Sequence, residues 1–161
     1  MREITLVNRH TTERLVLRAA DDGTDRVFLR GSLEPGRPGP PPHVHLRSDE
    51  RGRVLAGTAG VRVGRATSTH GPGSTLLLPK GIPHAWWNAG DDLLEMEAEV
   101  DAAGAFIPFL AGIFELANAS PTGRPSLPRL ARLLRAHRHE YRLAVPAVVD
   151  RVLFPILARL A

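Results

Sequence analysis

Up to about residue 100, apolar and polar positions alternate along the chain in short segments. The clearest case is the segment 94–100, in which four apolar residues alternate with three glutamates. An alternation of period two predicts a β-strand with one dry and one wet face, because successive side chains point to opposite sides of a strand. Similar segments predict strands at 13–18, 26–33 and 75–78. Short strands separated by glycine and proline favour an all-β sandwich or barrel.

Two further strand-like segments, 53–56 and 61–63, flank a stretch bounded by Gly57 and Gly60. Two such runs separated by a few residues that include glycine are typical of a β-hairpin. We therefore expect these two segments to form a hairpin.

After about residue 103, the apolar residues recur with helical spacing. Residues three and four positions apart lie on one face of a helix, so this pattern predicts amphipathic helices. The three stripes comprise Phe106, Phe109, Leu110, Ile113, Phe114 and Ala117; Leu127, Leu130, Leu133, Leu134, His137 and Tyr141; and Val149, Val152, Leu153, Ile156, Leu157 and Leu160. Pro155 lies inside the third stripe and predicts a kink or a break. We expect a β-barrel domain over residues 1–102 and a helical extension over residues 103–161.

The second helical stripe is accompanied by arginines on the opposite side of the helix. They are Arg129, Arg132, Arg135, Arg138 and Arg142. This side is either a solvated face or a surface for anionic material such as a membrane or nucleic acid. The following segment, 145–161, is too apolar to remain bare in water. We expect it to dock either onto its own barrel or across a homodimer.

Composition narrows the class of protein. The chain has 161 residues, which is the size of one domain, and it has no cysteine, which excludes disulfides and thiolate metal sites. A net charge of +4 is a weak indication of nucleic-acid binding, and we expect no nucleic-acid partner. The sequence begins without the apolar core of a signal peptide and has no long apolar run. We therefore expect a cytoplasmic protein with no transmembrane span.

Three histidines and a glutamate are the candidates for chemistry. His43 and His45 are two positions apart, so in an extended strand their imidazoles project from the same face. Glu50 adds a carboxylate five residues later, and His84 follows a turn rich in proline and glycine. Three imidazoles and one carboxylate suit a divalent transition metal.

These residues lie in two segments that resemble the two signature motifs of the cupin superfamily. The first motif has His-x-His, a spacer, Glu, six residues and Gly, and it matches His43, His45, Glu50 and Gly57. The second motif is Gly-x5-Pro-x-Gly-x2-His-x3-Asn, and it matches Gly73, Pro79, Gly81, His84 and Asn88. The glycine that usually precedes the first motif is absent at its usual spacing, since Gly36 and Gly39 stand elsewhere. The apolar tail is also similar to that of small bacterial cupins that have a single domain.

The resemblance implies a mainly-β cupin jelly roll or barrel with two or three C-terminal α-helices. It also implies one divalent metal inside the barrel, held by His43, His45, Glu50 and His84. The ion could be Fe, Mn, Ni, Co, Cu or Zn, since this ligand set accommodates all six. By strand alternation Trp86 shares the face of His84 and Asn88, so Trp86 either lines a pocket or fills the core. The same alternatives hold for Met96, and we include Trp86, Asn88 and Met96 as candidate pocket-lining residues.

Two classes of function are compatible with a cupin barrel that holds one divalent metal. One is a metal-dependent enzyme, an oxygenase, isomerase or decarboxylase, that acts on a small polar or aromatic metabolite. The other is a non-catalytic module that binds a small molecule or a metal, or senses one. We find no further acid or base and no helix-turn-helix segment in the sequence, and one barrel fold hosts many chemistries. The reaction and the ligand therefore stay open.

Overall fold

The computed structural model describes residues 3–101 and 105–160, and in this part of the chain eleven strands form two antiparallel sheets. The strands are β1 Glu3–Val7, β2 Arg14–Ala19, β3 Val27–Leu33, β4 His43–His45, β5 Glu50–Ala56, β6 Ala59–Val63, β7 Ala66–His70, β8 Thr75–Leu78, β9 His84–Asn88, β10 Leu94–Val100 and β11 Tyr141–Leu143. The large sheet has the order β1-β2-β3-β10-β5-β8, and the small sheet has the order β11-β4-β9-β6-β7. The prediction of a mainly-β fold is confirmed.

The inner faces of the two sheets enclose a core, which we call the barrel core. Leu33, Val54 and Leu94 from the large sheet and Ala59 and Val61 from the small sheet belong to this one buried cluster. In β10 the two end positions, Leu94 and Val100, are buried, and Glu97 at the centre of the strand is exposed. Apolar side chains from both sheets therefore meet in a single layer, as in a sandwich.

The predicted hairpin between segments 53–56 and 61–63 is wrong. Strand β5 pairs with β10 and β8 in the large sheet, whereas β6 pairs with β7 and β9 in the small sheet. The chain passes between the sheets at Gly57, whose φ is +73°, and a Cβ there would lie 2.5 Å from the Leu93 carbonyl oxygen. A corner of this kind has the same local glycine pattern as a hairpin. Strand β6 forms its hairpin with β7, through Gly64, which has a φ of 59°.

The C-terminal part contains α1 Phe106–Ala119, α2 Leu127–Ala136 and α3 Phe154–Leu157. The segment Val149–Leu153 before α3 is a π-helical turn, and Ala158–Leu160 after it is a 3₁₀ turn. Pro155 lies in the first turn of α3, where its missing N–H is tolerated, and the regular α-helix is interrupted just before it. The prediction of a kink or a break is confirmed.

The second helical stripe extends less far than predicted. We expected Tyr141 on the apolar face of this helix, but α2 ends at Ala136 and Tyr141 begins β11. Strand β11 pairs with β4, with Tyr141 opposite His45 and Leu143 opposite His43. The edge of β4 would otherwise present unpaired backbone groups, and a short strand from the C-terminal part satisfies them.

The helices pack on one end of the barrel. A second buried cluster, the cap core, combines Val27 and Val100 of the large sheet with residues of the C-terminal part. The latter are Phe106, Phe109, Ala131, Leu134, Tyr141 and Phe154. The boundary expected between residues 102 and 103 lies outside the described residues. Within the described ranges, no helix has the length and apolarity that a membrane crossing requires.

Candidate metal centre

The four candidate ligands come from three strands, two of which are neighbours in the small sheet while the third belongs to the large sheet. His43 and His45 lie on β4, Glu50 begins β5 and His84 begins β9. His43 and His84 are register partners across β4 and β9, so their side chains leave the same face of the small sheet. One potential ligand atom from each of the four residues lies within 4.8 Å of the others. The structure thus brings together all four residues that the sequence nominated.

Backbone carbonyls fix the orientation of two imidazoles. His43 Nδ1 is 2.9 Å from the carbonyl oxygen of Pro41, and His84 Nδ1 is 3.0 Å from that of Ile82. A carbonyl oxygen only accepts hydrogen bonds, so each Nδ1 carries the proton and each Nε2 presents a lone pair. Histidines that bind metals are commonly oriented in this way by their second nitrogen.

His84 Nε2 provides a test of whether a metal fits. This atom is buried and has no hydrogen-bond partner among the described residues. A buried polar atom without a partner costs about 1–3 kcal/mol. His43 Nε2 and His45 Nε2 lie only 3.2 Å apart, and His45 Nε2 is 3.6 Å from Glu50 Oε2. A cation among these atoms would satisfy the unpartnered lone pair, so the donor set fits a divalent transition metal.

Burial sets the protonation states of the ligands. It lowers the pKa of His43 to about 3 and that of His45 to about 4, with smaller contributions from neighbouring imidazoles. Burial also lowers the pKa of His84. It raises the pKa of Glu50 to about 7, because a carboxylate is poorly solvated there. Near neutral pH the imidazoles are therefore neutral, which is the form that binds metals.

Aromatic residues of the C-terminal part cover the metal centre. The Tyr141 ring stacks on the His43 ring, with centroids 4.8 Å apart and an angle of 20° between planes. Phe106 lies 5.4 Å from the His45 ring, and Phe109 lies 4.4 Å from the Tyr141 ring. Burial, and to a smaller extent the nearby Glu50 carboxylate, raises the pKa of Tyr141. The quartet thus lies between the barrel core and the cap core.

Tyr141 is the residue of this site that sequence reasoning missed. The helical spacing of the second stripe placed it on α2, and its contact with the histidines depends on the pairing of β11 with β4. These two strands are about 100 residues apart in the chain, so no local pattern links them.

The candidate pocket-lining residues have other contacts. Trp86 and Met96 pack against the barrel core. Asn88 donates both amide hydrogens, to the Leu33 carbonyl at 2.9 Å and to the Asp92 carbonyl at 2.8 Å. Its side-chain oxygen accepts a hydrogen bond from Gly90 N–H at 2.9 Å, so Asn88 fixes the turn after β9. A role in lining a pocket stays a prediction for Trp86, Asn88 and Met96.

One cavity reaches His84, a candidate metal ligand. It has a volume of about 520 Å³ and is lined by His84, Pro83, Thr67 and two arginines, Arg62 and Arg65, among others. Both arginines lie on the β6–β7 hairpin or its turn. Pro42 and Ala144 also line this cavity, and its two arginines favour an anionic molecule.

Comparison with known proteins agrees with the fold. Residues 29–100 match a family model described as the cupin domain. Oxalate decarboxylase from Bacillus subtilis is similar over 61% of this chain and 27% of its own, with 16% identity and a TM-score of 0.52. The Cnp3 cupin domain of Schizosaccharomyces pombe is similar over 63% of this chain and 88% of its own, with 11% identity and a TM-score of 0.51.

A sugar phosphate isomerase of a cupin superfamily from Silicibacter pomeroyi is similar over 54% of this chain and 59% of its own, with 19% identity and a TM-score of 0.47. The chain thus spans less than two thirds of this isomerase and of the decarboxylase, and at these identities the likeness concerns the fold. No curated protein sequence matches the chain significantly. The matched family model and the two-sheet fold together show that residues 29–100 form a cupin domain.

Proposed function

We propose that the protein binds one divalent transition metal through His43, His45, Glu50 and His84. The observation that supports this most strongly is the convergence of four ligand atoms within 4.8 Å around an unpartnered, buried His84 Nε2. Three neutral imidazoles and one carboxylate leave a site with a net positive charge when an ion is bound. Fe, Mn, Ni, Co, Cu and Zn all accept this ligand set, so the identity of the ion is left to measurement.

We further propose that the metal centre serves an enzyme acting on a small polar or aromatic metabolite, as an oxygenase, isomerase or decarboxylase. When bound, the ion would polarise an oxygen atom of such a molecule as a Lewis acid. Arg62 and Arg65 flank the cavity that reaches His84, and their charge would draw a carboxylate toward the centre. Tyr141 and Phe106 would exclude water where they cover His43 and His45.

The alternative is a non-catalytic binding or sensor module. It is favoured by the aromatic cover over the quartet, because Tyr141 stacks directly on His43 and restricts access from the helical side. In this case the metal would hold β4, β5 and β9 together, and the small molecule, if any, would contact only the outer cavity. Both proposals include a bound metal ion, but only the enzyme proposal predicts that the protein converts a substrate.

The metal can be tested on the full chain purified without a chelating tag. We expect metal analysis after reconstitution to find about one ion per chain, and we expect His84→Ala to lose most of it. His70→Ala is the matched control, since His70 lies outside the quartet and hydrogen-bonds with Ser68. A wild-type protein that stays free of metal after reconstitution would refute both proposals.

The reaction can be tested by oxygen consumption and by product release from enols, diketones and small carboxylic acids. The enzyme proposal predicts turnover that requires the ion and disappears in His84→Ala. Turnover that persists in this variant would exclude it. A protein that binds the ion and turns over none of these compounds supports the binding module.

We also propose a homodimer. The C-terminal segment packs one side on the cap core through Val149, Phe154 and Leu157. Four residues at a spacing of four, Val148, Val152, Ile156 and Leu160, remain 52–71% exposed. An exposed apolar stripe of this kind is suited to pack against its own copy about a two-fold axis.

A further inference from the structure

A separate cavity of about 350 Å³ lies between α2, β11 and the C-terminal segment. Its inner surface is apolar, and three buried residues form much of it: Leu134, Tyr141 and Phe154. Tyr141 also stacks on His43, so the same residue forms a wall of this cavity and the cover of the metal centre. Pockets of this size, apolar with a few convergent polar groups, commonly hold small ligands.

The rim of the cavity is strongly basic. Arg135 lines it from α2, Arg138 from the turn after α2 and Arg142 from β11, and Arg151 joins them from the C-terminal segment. Asp150 is the one carboxylate among its lining residues, and its Oδ2 lies 3.8 Å from Arg142 Nη1, at the outer limit of an ion pair. Within the described residues, Arg135, Arg138 and Arg151 have no ion pair with a carboxylate.

We propose that this cavity binds a small anionic molecule, with a phosphate or carboxylate group held by the arginines and an apolar or aromatic part on Tyr141 and Phe154. Guanidinium groups match the planar, two-oxygen edge of these anions and bind them through paired charged hydrogen bonds. Guanidinium groups gathered at one rim with a single carboxylate repel one another, and a bound anion would relieve this repulsion.

The placement of the arginines favours a small ligand over an extended surface. The arginine face noted in the sequence does not remain a flat stripe, because Arg135, Arg138 and Arg142 converge on a concave site while Arg129 lies outside it. Arg151 comes from a different element, so the site is assembled by the fold. The proposal does not depend on the metal, since none of the four metal ligands lines this cavity.

Calorimetric titration of the full chain at low ionic strength, with inorganic phosphate and with phenyl phosphate, tests the proposal. We expect saturable one-site binding, and tighter binding of phenyl phosphate because its ring can contact the apolar floor. Arg135→Gln and Arg138→Gln should each weaken binding by about tenfold or more, as expected for losing a charged hydrogen bond. Both residues are exposed, so the variants should remain folded, which circular dichroism can check.

Arg129→Gln is the matched control, because Arg129 is an exposed arginine on the same helix outside the cavity. Its affinity should stay within about twofold of the wild type. Equal weakening by Arg129→Gln and Arg135→Gln would indicate a general charge effect and overturn the proposal, as would the absence of saturable binding of either probe. Loss of phosphate binding in His84→Ala would place the anion at the metal centre and also overturn it.

Vesicles of phosphatidylglycerol distinguish a soluble ligand from a lipid headgroup. We expect binding of phenyl phosphate to persist without vesicles and vesicles to compete weakly. A higher affinity for vesicles than for phosphate, lowered equally by Arg129→Gln and Arg138→Gln, would favour a membrane surface. This result would contradict binding of the anion in the cavity.

Discussion

Glu50 differs from the three histidines of the quartet because it retains a proton close to neutral pH. Burial raises its pKa to about 7, whereas burial lowers the pKa values of His43 and His45 to about 3 and about 4. A metal must displace the proton of Glu50, but it meets imidazoles that are already neutral. Proton competition for the centre therefore comes from the carboxyl group.

This difference predicts the pH dependence of metal affinity. Below pH 7 the proton on Glu50 competes with the ion, so the apparent dissociation constant for Ni(II) should fall about tenfold per pH unit from pH 5.5 to 7 and level off above. Chelator competition measures the constant. Glu50→Gln has no proton to lose at this position, so its affinity should be lower overall and nearly flat over the same range. A variant that keeps the wild-type slope would assign the proton to another group.

Two substitutions of Tyr141 separate the contribution of its ring to stability from that of its hydroxyl group. It is 8% exposed and contacts the rings of His43, His45 and Phe109. Tyr141→Ala should lower the free energy of unfolding of the metal-free protein by about 3–5 kcal/mol, as for other buried aromatic residues. Tyr141→Phe keeps the stacked ring, so its loss should stay below about 1.5 kcal/mol. Urea denaturation measures both, and equal losses would show that the ring packing contributes little.

At the scale of elements, the contact between β6 and β9 depends on a glycine. Gly60 lies opposite Trp87 in the register of these strands, and a Cβ at Gly60 would lie 2.2 Å from Trp87 Cε2. Gly60→Ala must displace the indole, so we expect it to lower the free energy of unfolding by about 1–3 kcal/mol. Thermal or urea denaturation with tryptophan fluorescence measures the loss.

Gly71→Ala is the control for this substitution, because a Cβ at Gly71 meets nothing within 4 Å and Gly71 does not have a positive φ. Its free energy of unfolding should stay within about 0.5 kcal/mol of the wild type. If both alanine variants lose the same stability, the effect lies in the backbone of glycine and not in the contact with Trp87.

The positions of the strands along the chain were largely predictable from the sequence, but the pairing of the strands in the two sheets was not. The alternation in β10 and the apolar run of β8 gave correct positions because each depends only on neighbouring residues. The pairing of β5 with β10, and of β6 with β9, joins residues far apart in the chain. A local pattern around Gly57 cannot distinguish a hairpin from a corner between sheets, since both need a positive φ.

The same distinction holds for the metal centre. The identities and spacing of His43, His45, Glu50 and His84 were enough to nominate them, because strand alternation and motif spacing are local properties. The contacts that surround them were not predictable: the carbonyl of Ile82 orients His84, and Tyr141 covers His43. The contact with Tyr141 depends on how separate elements pack, and α2 ended earlier than its apolar stripe indicated. The contact with Ile82 depends on the backbone conformation of the turn two residues before His84.

At the scale of the whole molecule, the metal centre lies where two hydrophobic clusters meet. The barrel core lies on one side, and the cap core, which includes Tyr141 and Phe106, lies on the other. The helices therefore take part in the environment of the centre as well as in stabilising the fold. The same C-terminal part bears the basic cavity on its outer side, and Tyr141 separates the two sites.

The exposed stripe of the C-terminal segment predicts the oligomeric state. We expect light scattering coupled to size-exclusion chromatography to find a dimer, and the double variant Val152→Glu and Ile156→Glu to find a monomer, because charges at an isologous interface face their own copies. Both residues are more than half exposed in the single chain, at 52% and 53%, so the thermal stability of the fold itself should change little. Leu127→Glu is the control, because Leu127 is 60% exposed and lies outside the stripe. A wild-type monomer would refute the dimer. A dimer that survives the double variant and is lost in Leu127→Glu would place the interface elsewhere.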